Sequence, residues 1–161
     1  MRLITSLLIC LGLSLGSAVN LLIPRHNCGD YFTYSTEEGG RRGYIGIFTA
    51  PKTGVYHITW AAAFVCHGNR NLHMESMMPY PSREGAARNI YNGQRAQAFV
   101  RFVNITTELP KLVHLEVNGE TLCQNSGYDS PSTRATVRFN MNIFVIREKK
   151  PCAQNATAIS T

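Results

Sequence analysis

Apolar and polar residues alternate along much of the C-terminal half of the chain. Between positions 137 and 145 every second residue is apolar, whereas Thr136, Arg138 and Asn140 fall on the opposite phase. Side chains of a strand point to opposite faces in turn, so this pattern predicts a long strand with one buried face. The runs 98–103 and 112–117 alternate in the same way and predict two more strands. The residues expected on the buried face of the long strand are Val137, Phe139, Met141, Ile143 and Val145.

Turn-forming residues separate these runs. Asn118-Gly119 lies between two strand-like runs, and both residues tolerate the positive φ angles that a type I′ hairpin turn requires. Residues 51–54, Pro-Lys-Thr-Gly, have turn chemistry between further strand-like runs. The sequence therefore predicts an all-β fold, an antiparallel, jelly-roll-like β-sandwich of about six to eight strands.

One long polar segment, residues 67–97, does not alternate. It contains several Pro and Gly residues, and its residues 82–88 can form a short helix of one or two turns. Unassigned segments of this length in a compact domain are usually functional or mobile. The candidate binding residues discussed below lie in or beside it.

The first residues have the three parts of a secretory signal peptide. Arg2 supplies a positive charge, residues 3–15 are mostly apolar, and residues 16–18 are the small residues that signal peptidase recognises. The apolar run is shorter than the roughly 20 residues that span a bilayer, so no membrane span is expected. We therefore expect a secreted, extracellular protein with three segments: a signal peptide (1–18), a single β domain (19–152) and a disordered tail (153–161).

Cysteines and glycosylation motifs fit that compartment. Cys10 leaves with the signal peptide, and an even number of cysteines in an oxidising compartment predicts two disulfides. Three connectivities are compatible with the remaining residues, which are Cys28, Cys66, Cys123 and Cys152. The motifs Asn104-Ile105-Thr106 and Asn155-Ala156-Thr157 predict N-glycosylation at Asn104 and Asn155.

Positive charge exceeds negative charge, with 16 Lys and Arg residues against 10 Asp and Glu residues and a formal net charge of +6. This excess is mild, and a secreted protein rarely meets nucleic acid. A polyanionic glycan or an acidic protein surface is the better-matched partner, and the planar fork of arginine suits sulfate and carboxylate. The alternative is ordinary solvated charge. The candidate residues are Arg83, Arg88, Arg95 and Arg101.

Motifs of catalysis and cofactor binding are absent from the sequence. It contains no GxSxG nucleophile motif, no HExxH zinc motif and no phosphate-binding GxxxxGK[ST] loop. Its five histidines are scattered, and its cysteine spacings do not match a zinc site. We expect neither enzymatic activity nor a cofactor, and the sequence does not indicate an oligomeric state.

Several segments resemble the amino-terminal, non-catalytic domain of the insect gastrulation-defective serine protease family. Residues 27–34 (NCGDYFTY) and 44–47 (YIGI) are similar to its opening, in which a cysteine is soon followed by phenylalanine and tyrosine. Residues 99–102 (FVRF), 109–112 (LPKL) and 117–123 (VNGETLC) are similar to its aromatic strand, Leu-Pro turn and Asn-Gly hairpin ending at a cysteine. The resemblance covers about residues 27–145.

The resemblance implies an accessory domain without protease activity, because this sequence has no catalytic histidine, aspartate or serine motif of the protease domain. Gly29 stands where the family has a proline, and Cys66 and Cys152 are additions to the family's cysteine pair. The implied disulfides are Cys28–Cys123 and Cys66–Cys152. The implied function is a secreted regulatory module that recognises an extracellular protein, such as a component of a proteolytic cascade, or a sulfated glycan.

A second, local resemblance gives an alternative. Residues 48–56 (FTAPKTGVY) are similar to a strand–turn–strand of complement-type jelly-roll domains, which would imply a ligand- or carbohydrate-binding domain. The following hairpin, at Asn118, comes much later than in those domains. A small secreted hydrolase of an unrecognised type is the remaining hypothesis.

Overall fold

The computed structural model describes residues 21–37, 43–68 and 74–143. The predicted signal peptide, the predicted tail, Val145, Cys152 and Asn155 lie outside these residues. The described elements in chain order are β1 (Phe32–Thr36), β2 (Tyr44–Thr53), β3 (His57–His67), β4 (Met78–Pro79), α1 (Arg83–Tyr91), β5 (Arg95–Phe102), β6 (Lys111–Val117), β7 (Glu120–Gln124) and β8 (Ser132–Asn142).

The strands form two antiparallel sheets. The first sheet has the order β1-β2-β5-β4 and the second has the order β7-β6-β3-β8. The predicted antiparallel β-sandwich with one short helix is therefore confirmed. The turn predicted at 51–54 is wrong for its first three residues, which are the end of β2, and only Gly54, with φ 70°, lies beyond that strand. Because β2 and β3 lie in different sheets, residues 54–56 carry the chain from one sheet to the other instead of forming a hairpin.

Aromatic side chains fill the space between the sheets. Phe32, Phe48, Trp60 and Phe64 are at most 2% exposed, and each contacts at least one of the others through its ring. Gly46 lets Phe32 approach the backbone of β2, because a Cβ atom there would lie 2.6 Å from the Phe32 ring. Burial of this aromatic layer stabilises the contact between the two sheets.

The predicted faces of two strands are confirmed. In β8, Met141 is buried, and Ile143 just beyond the strand is buried too, whereas Arg138 is exposed. Val137 and Phe139 point inward but stay half-buried. In β5, every second residue from Ala96 is buried, as the alternation predicts.

The regular alternation predicted over 112–117 is interrupted at Val113, which does not share the inward face of Leu115 and Val117. Ala63 of β3 pairs with His114, and the next residue, Phe64, pairs with Leu112, so Val113 is the extra residue of a β-bulge. Leu112 therefore joins the core between the sheets. Val113 packs instead against Ala63, Val65 and Tyr128, in a small separate cluster.

The Asn-Gly hairpin is confirmed. Asn118 and Gly119 have φ angles of 53° and 82°, and Val117 of β6 pairs with Glu120 of β7. Both positive φ values match the type I′ turn, whose twist suits that of the flanking strands. The Asn118 side chain also accepts a hydrogen bond from the Thr59 N–H at 2.7 Å, which joins the turn to β3.

Within the long polar segment, α1 is longer than the predicted one or two turns. Ser82 caps it by accepting a hydrogen bond from the Gly85 N–H at 3.0 Å. Ala86 and Ile90, four residues apart on one face, are buried, and the helix contacts β4 and β5. Gly85 allows Pro81 to pack closely, since a Cβ would lie 2.8 Å from its Cγ. Packing thus extends a helix whose residues have only weak intrinsic signals.

Candidate functional site

One predicted disulfide is present in the structure. Cys28, just before β1, is bonded to Cys123 of β7, with their Cα atoms 5.6 Å apart. Around it, Asn125 binds the first segment of the chain, because its side-chain oxygen accepts from the Asn27 N–H at 2.9 Å. The same side chain donates to the Leu112 carbonyl at 3.1 Å. The disulfide therefore ties the edge of the first sheet to the edge of the second.

Of the other two cysteines predicted to form a disulfide, only Cys66 lies in the described residues. Cys66 is half-buried near the end of β3, opposite Thr133 of β8. Cys152 lies outside the described residues, so the Cys66–Cys152 pair stays a prediction.

Three of the four candidate arginines lie in α1 or shortly after it. Arg83 and Arg88 are exposed on the helix, and Arg95 is exposed at the start of β5. By helix geometry Arg83 and Arg88 are about 7.5 Å apart along the axis and about 140° apart around it. Within the described part of the chain none of the three forms an ion pair, and Arg95 reaches only the Asp30 carbonyl, at 3.4 Å.

The fourth candidate, Arg101, has a different environment. Its guanidinium forms ion pairs with Glu37 and Glu75, and it lies 5.7 Å from the centre of the Phe99 ring. Hydrogen bonds to Glu37 first and to Glu75 second raise its pKa further above the ordinary arginine value. Arg101 is thus a bridge between the chain after β1 and the chain before β4, and the structure does not bring it together with the other three arginines as an open site.

The predicted glycosylation residue Asn104 lies beside that bridge. Asn104 and Thr106 are exposed in the loop after β5, and Asn104 has a positive φ of 58°. Asn104, Tyr44 and Arg101 contribute to the wall of a cleft of about 470 Å³. The side chain of Asn104 is therefore accessible at the wall of this cleft.

A polar cluster that the sequence did not reveal lies on the outer side of the second sheet. The Tyr128 hydroxyl donates to Glu108 Oε1 at 2.6 Å, and His67 Nδ1 is 2.9 Å from Glu108 Oε2. The rings of His67 and Tyr128 stack with centroids 3.6 Å apart, and Lys111 Nζ is 5.1 Å from the Tyr128 centroid. Burial first, and the bond to Glu108 second, raise the pKa of Tyr128. No short motif links these positions, which span 61 residues of sequence.

This cluster holds a connection in place. Tyr128 belongs to the segment between β7 and β8, which lie at opposite edges of the second sheet. His67 contacts the Glu108 carboxylate and the Tyr128 ring. Tyr128 also packs against Val65 and Val113, and these contacts fix the crossing segment against the second sheet.

The described residues contain neither a cluster of metal-ligating side chains nor a membrane-spanning helix. The histidine, cysteine and acidic side chains there form no group of three that could hold a metal ion. The described helix, α1, has nine residues, and no helix in the described ranges reaches the length and apolarity needed to cross a membrane.

Comparison with known proteins identifies the family. The family model described as "Serine protease gd N-terminus" matches residues 26–133, which include both cysteines of the disulfide, all four candidate arginines and every described strand up to the start of β8. No curated protein and no solved structure matches the chain. The matched region is the non-catalytic part of those proteases. Because the match covers most of its length, this chain belongs to the family of serine protease gd N-terminal domains.

Proposed function

We propose that this chain is a secreted, non-catalytic binding module that recognises a sulfated glycan through Arg83, Arg88 and Arg95, called here the α1 arginines. The observation that carries the proposal is their shared exposure around α1 without an ion pair in the described residues. Because Glu37 and Glu75 already neutralise Arg101, it is left out of the proposed site.

The arrangement suits an extended polyanion better than a single small anion. Arg83 and Arg88 project in different directions from α1, so one sulfate group cannot bridge them. A chain carrying sulfate at intervals can contact each guanidinium in turn, through the bidentate geometry that arginine offers. Such binding weakens as salt screens the charges.

Elution from a heparin column tests this proposal. We compare the mature protein with Arg83→Ala/Arg88→Ala/Arg95→Ala and with a control, Arg25→Ala/Arg134→Ala/Arg138→Ala, that loses the same charge from other exposed positions. The parent and the control should be retained at about 0.15 M salt, where charges a few ångströms apart still attract, whereas the α1 variant should elute earlier.

Two results would contradict the proposal. If the parent is not retained, the α1 arginines are ordinary solvated charge and the partner is an extracellular protein. If both variants elute equally early, retention reflects only net charge. Circular dichroism of each variant checks that the fold is intact.

Secretion and glycosylation form the second part of the proposal. A disulfide at Cys28–Cys123 and membership of a serine protease family support an extracellular location, and exposed Asn104 supports glycan attachment there. When the chain is expressed in animal cells with residues 1–18 present, protein recovered from the culture medium should begin at Val19, because cleavage follows Ala18. Glycosidase treatment should lower its mass, and Asn104→Gln should remove part of that shift. Retention inside the cell would contradict this part.

A further inference from the structure

The four edge strands of the described sheets are not equally protected. β1 and β7 have five residues each, and β4 has two, one of which is Pro79. β8 has eleven residues and pairs with β3 without interruption from Asn142 to Ser132. Proteins usually keep edge strands short or interrupted, because a long regular edge is a template for another strand. β8 is the exception in this fold.

β8 pairs with a described strand on one side only. In the described part of the chain β3 is its only strand neighbour, and β8 ends the order of the second sheet. In an antiparallel strand the N–H and C=O groups of alternate residues point to opposite sides. About half of the backbone groups of residues 134–142 therefore point away from β3, along an edge without a register shift.

The inward face of β8 is incompletely covered. Phe139 pairs with Trp60 of β3, yet Trp60 is fully buried and Phe139 is only half-buried. Val137, paired with the fully buried Ala62, is likewise half-buried. Part of the apolar surface of Phe139 and Val137 is thus left exposed at this edge. Apolar side chains on an added strand would cover it.

A small cleft continues this edge. It has a volume of about 150 Å³ and lies between the end of β8 and the start of α1, with Pro79, Arg83, Phe139, Met141 and Ile143 in its wall. Asn140 and Asn142 also line it, and its apolar residues together with the Arg83 guanidinium suit an apolar side chain with a carboxylate nearby. A segment lying along β8 would lead directly into it.

The outward face of β8 carries positive charge. Arg134 and Arg138 are exposed on the same face, about 13 Å apart by strand geometry, and neither has an ion pair in the described residues. Opposite charges on neighbouring strands attract, and like charges repel. A second copy of β8 would bring arginines close to arginines, so the charge favours an acidic partner over self-pairing.

We propose that β8 is a docking edge for an extended acidic segment of a partner protein, which adds to the second sheet as a fifth, antiparallel strand. Its acidic residues lie opposite Arg134 and Arg138, and its alternate apolar residues lie opposite Val137 and Phe139. The proposal stands without the glycan site described above, although Arg83 borders both surfaces.

Fluorescence polarisation with labelled peptides tests the docking edge. The probe VEVTVEV places glutamates opposite both arginines when it pairs antiparallel with β8, and VKVTVKV reverses its charge. Two cross-strand charge pairs are worth about 1.4 kcal/mol, so VKVTVKV should bind about tenfold more weakly than VEVTVEV. Methylating alternate backbone nitrogens of VEVTVEV removes its donors to β8 and should abolish binding.

Protein variants complete the test. Arg134→Glu/Arg138→Glu should reverse the preference to VKVTVKV, whereas the control Arg88→Glu/Arg95→Glu, with the same charge change around α1, should keep the parent's preference. Hydrogen exchange of the parent should slow at residues 134–139 when VEVTVEV is added.

Three results would overturn the proposal. Equal affinity for the two peptides would show that charge does not select the partner, and unchanged affinity after nitrogen methylation would show that binding is not strand addition. Dimers of the parent that Arg134→Glu/Arg138→Glu alters would show that a second copy occupies β8.

Discussion

The sandwich has two sides at which an edge strand of one sheet faces an edge strand of the other. The contacts that hold the sheets together differ between these two sides. At one end, called here the latched edge, the Cys28–Cys123 disulfide joins the segment before β1 to β7, and Tyr34 of β1 bonds to the backbone before and at the start of β6. At the other end, called here the helical edge, α1 packs beside β4 and a cleft separates its start from β8. Covalent and hydrogen bonds hold the first, whereas the contacts described at the second are those of α1 packed against β4 and β5.

This difference places the stabilising bonds at one edge of the sandwich and the proposed docking strand at the other. At the latched edge the edge strands are short, and polar groups such as Asn27 and Asn125 bond to each other across the sheets. At the helical edge β8, which with eleven residues is as long as β3, keeps half-buried apolar side chains and exposed arginines. An edge can stay available for a partner only when the fold does not depend on covering it. The predictions that follow measure how far the two edges differ.

The largest effect is expected from the disulfide. Cys28→Ala/Cys123→Ala opens a loop of 95 residues, and the loss of this constraint on the unfolded chain should lower the free energy of unfolding by about 4 kcal/mol. Urea unfolding followed by tryptophan fluorescence measures it. As a control, Arg134→Glu/Arg138→Glu at the helical edge should change stability by less than about 0.5 kcal/mol. Equal effects would mean that the latched edge is not special.

Substitution of two phenylalanines compares the stability of the middle of the second sheet with that of its exposed edge. Phe64 of β3 is fully buried and contacts Phe32, Phe48 and Phe102, whereas Phe139 of β8 is half-buried. Phe64→Ala should lower the free energy of unfolding by about 3–5 kcal/mol. Phe139→Ala should lower it by only about 1–2 kcal/mol, since less surface leaves water. Similar losses in urea unfolding would contradict an incompletely covered β8.

The sequence was informative where a structure depends on neighbours in the chain. The alternation around Phe139 predicts the inward face of β8, and Asn118-Gly119 predicts the hairpin between β6 and β7, since both signals act within a few residues. The bulge at Val113 was not predictable, because it depends on how β6 pairs with a strand about 50 residues earlier. Alternation assumes a regular strand, and one extra residue reverses the face that follows.

The candidate site was less predictable for the same reason. The arginines were recognisable as a group because they are close in sequence, but the carboxylates of Arg101 are not: Glu37 lies 64 residues and Glu75 lies 26 residues away. The ion pairs that Arg101 forms in the folded protein thus exclude it from the group of arginines that closeness in sequence suggested. The contacts of Tyr128 and the exposure of β8 likewise depend on the order of strands in the second sheet, which no local pattern encodes.

A smaller effect is expected from one hydroxyl at the latched edge. The Tyr34 hydroxyl donates to the Pro110 carbonyl at 2.5 Å and accepts from the Leu112 N–H at 3.3 Å, and burial raises its pKa. Tyr34→Phe leaves both buried backbone groups without this partner, so the free energy of unfolding should fall by about 1–3 kcal/mol. Tyr91→Phe, which removes the same atom from an exposed residue of α1, should stay within about 0.5 kcal/mol. Equal losses would show that Tyr34 does not join β1 to β6.

The smallest effect concerns pH at the latched edge. His26 packs against the rings of Phe32 and Tyr34, and burial lowers its pKa below the ordinary value of 6.5. Its Nδ1 accepts a hydrogen bond from the Cys28 N–H at 3.2 Å, which requires that nitrogen to be unprotonated. As pH falls below 6.5, the unfolded chain takes up this proton before the folded protein does, so stability should fall.

The chain contains four other histidines, so the decisive quantity is a difference between two proteins. Urea midpoints of the parent and of His26→Gln are measured at about pH 7.5 and at about pH 5, on either side of the usual histidine pKa. The parent should lose more stability than His26→Gln between the two conditions, because only the parent has this buried imidazole to protonate. The same slope in both proteins would mean that protonation of His26 does not weaken the contacts around Cys28. Acid would then act elsewhere, and the latched edge would be held by its disulfide and the Tyr34 hydroxyl without a contribution from the neutral imidazole.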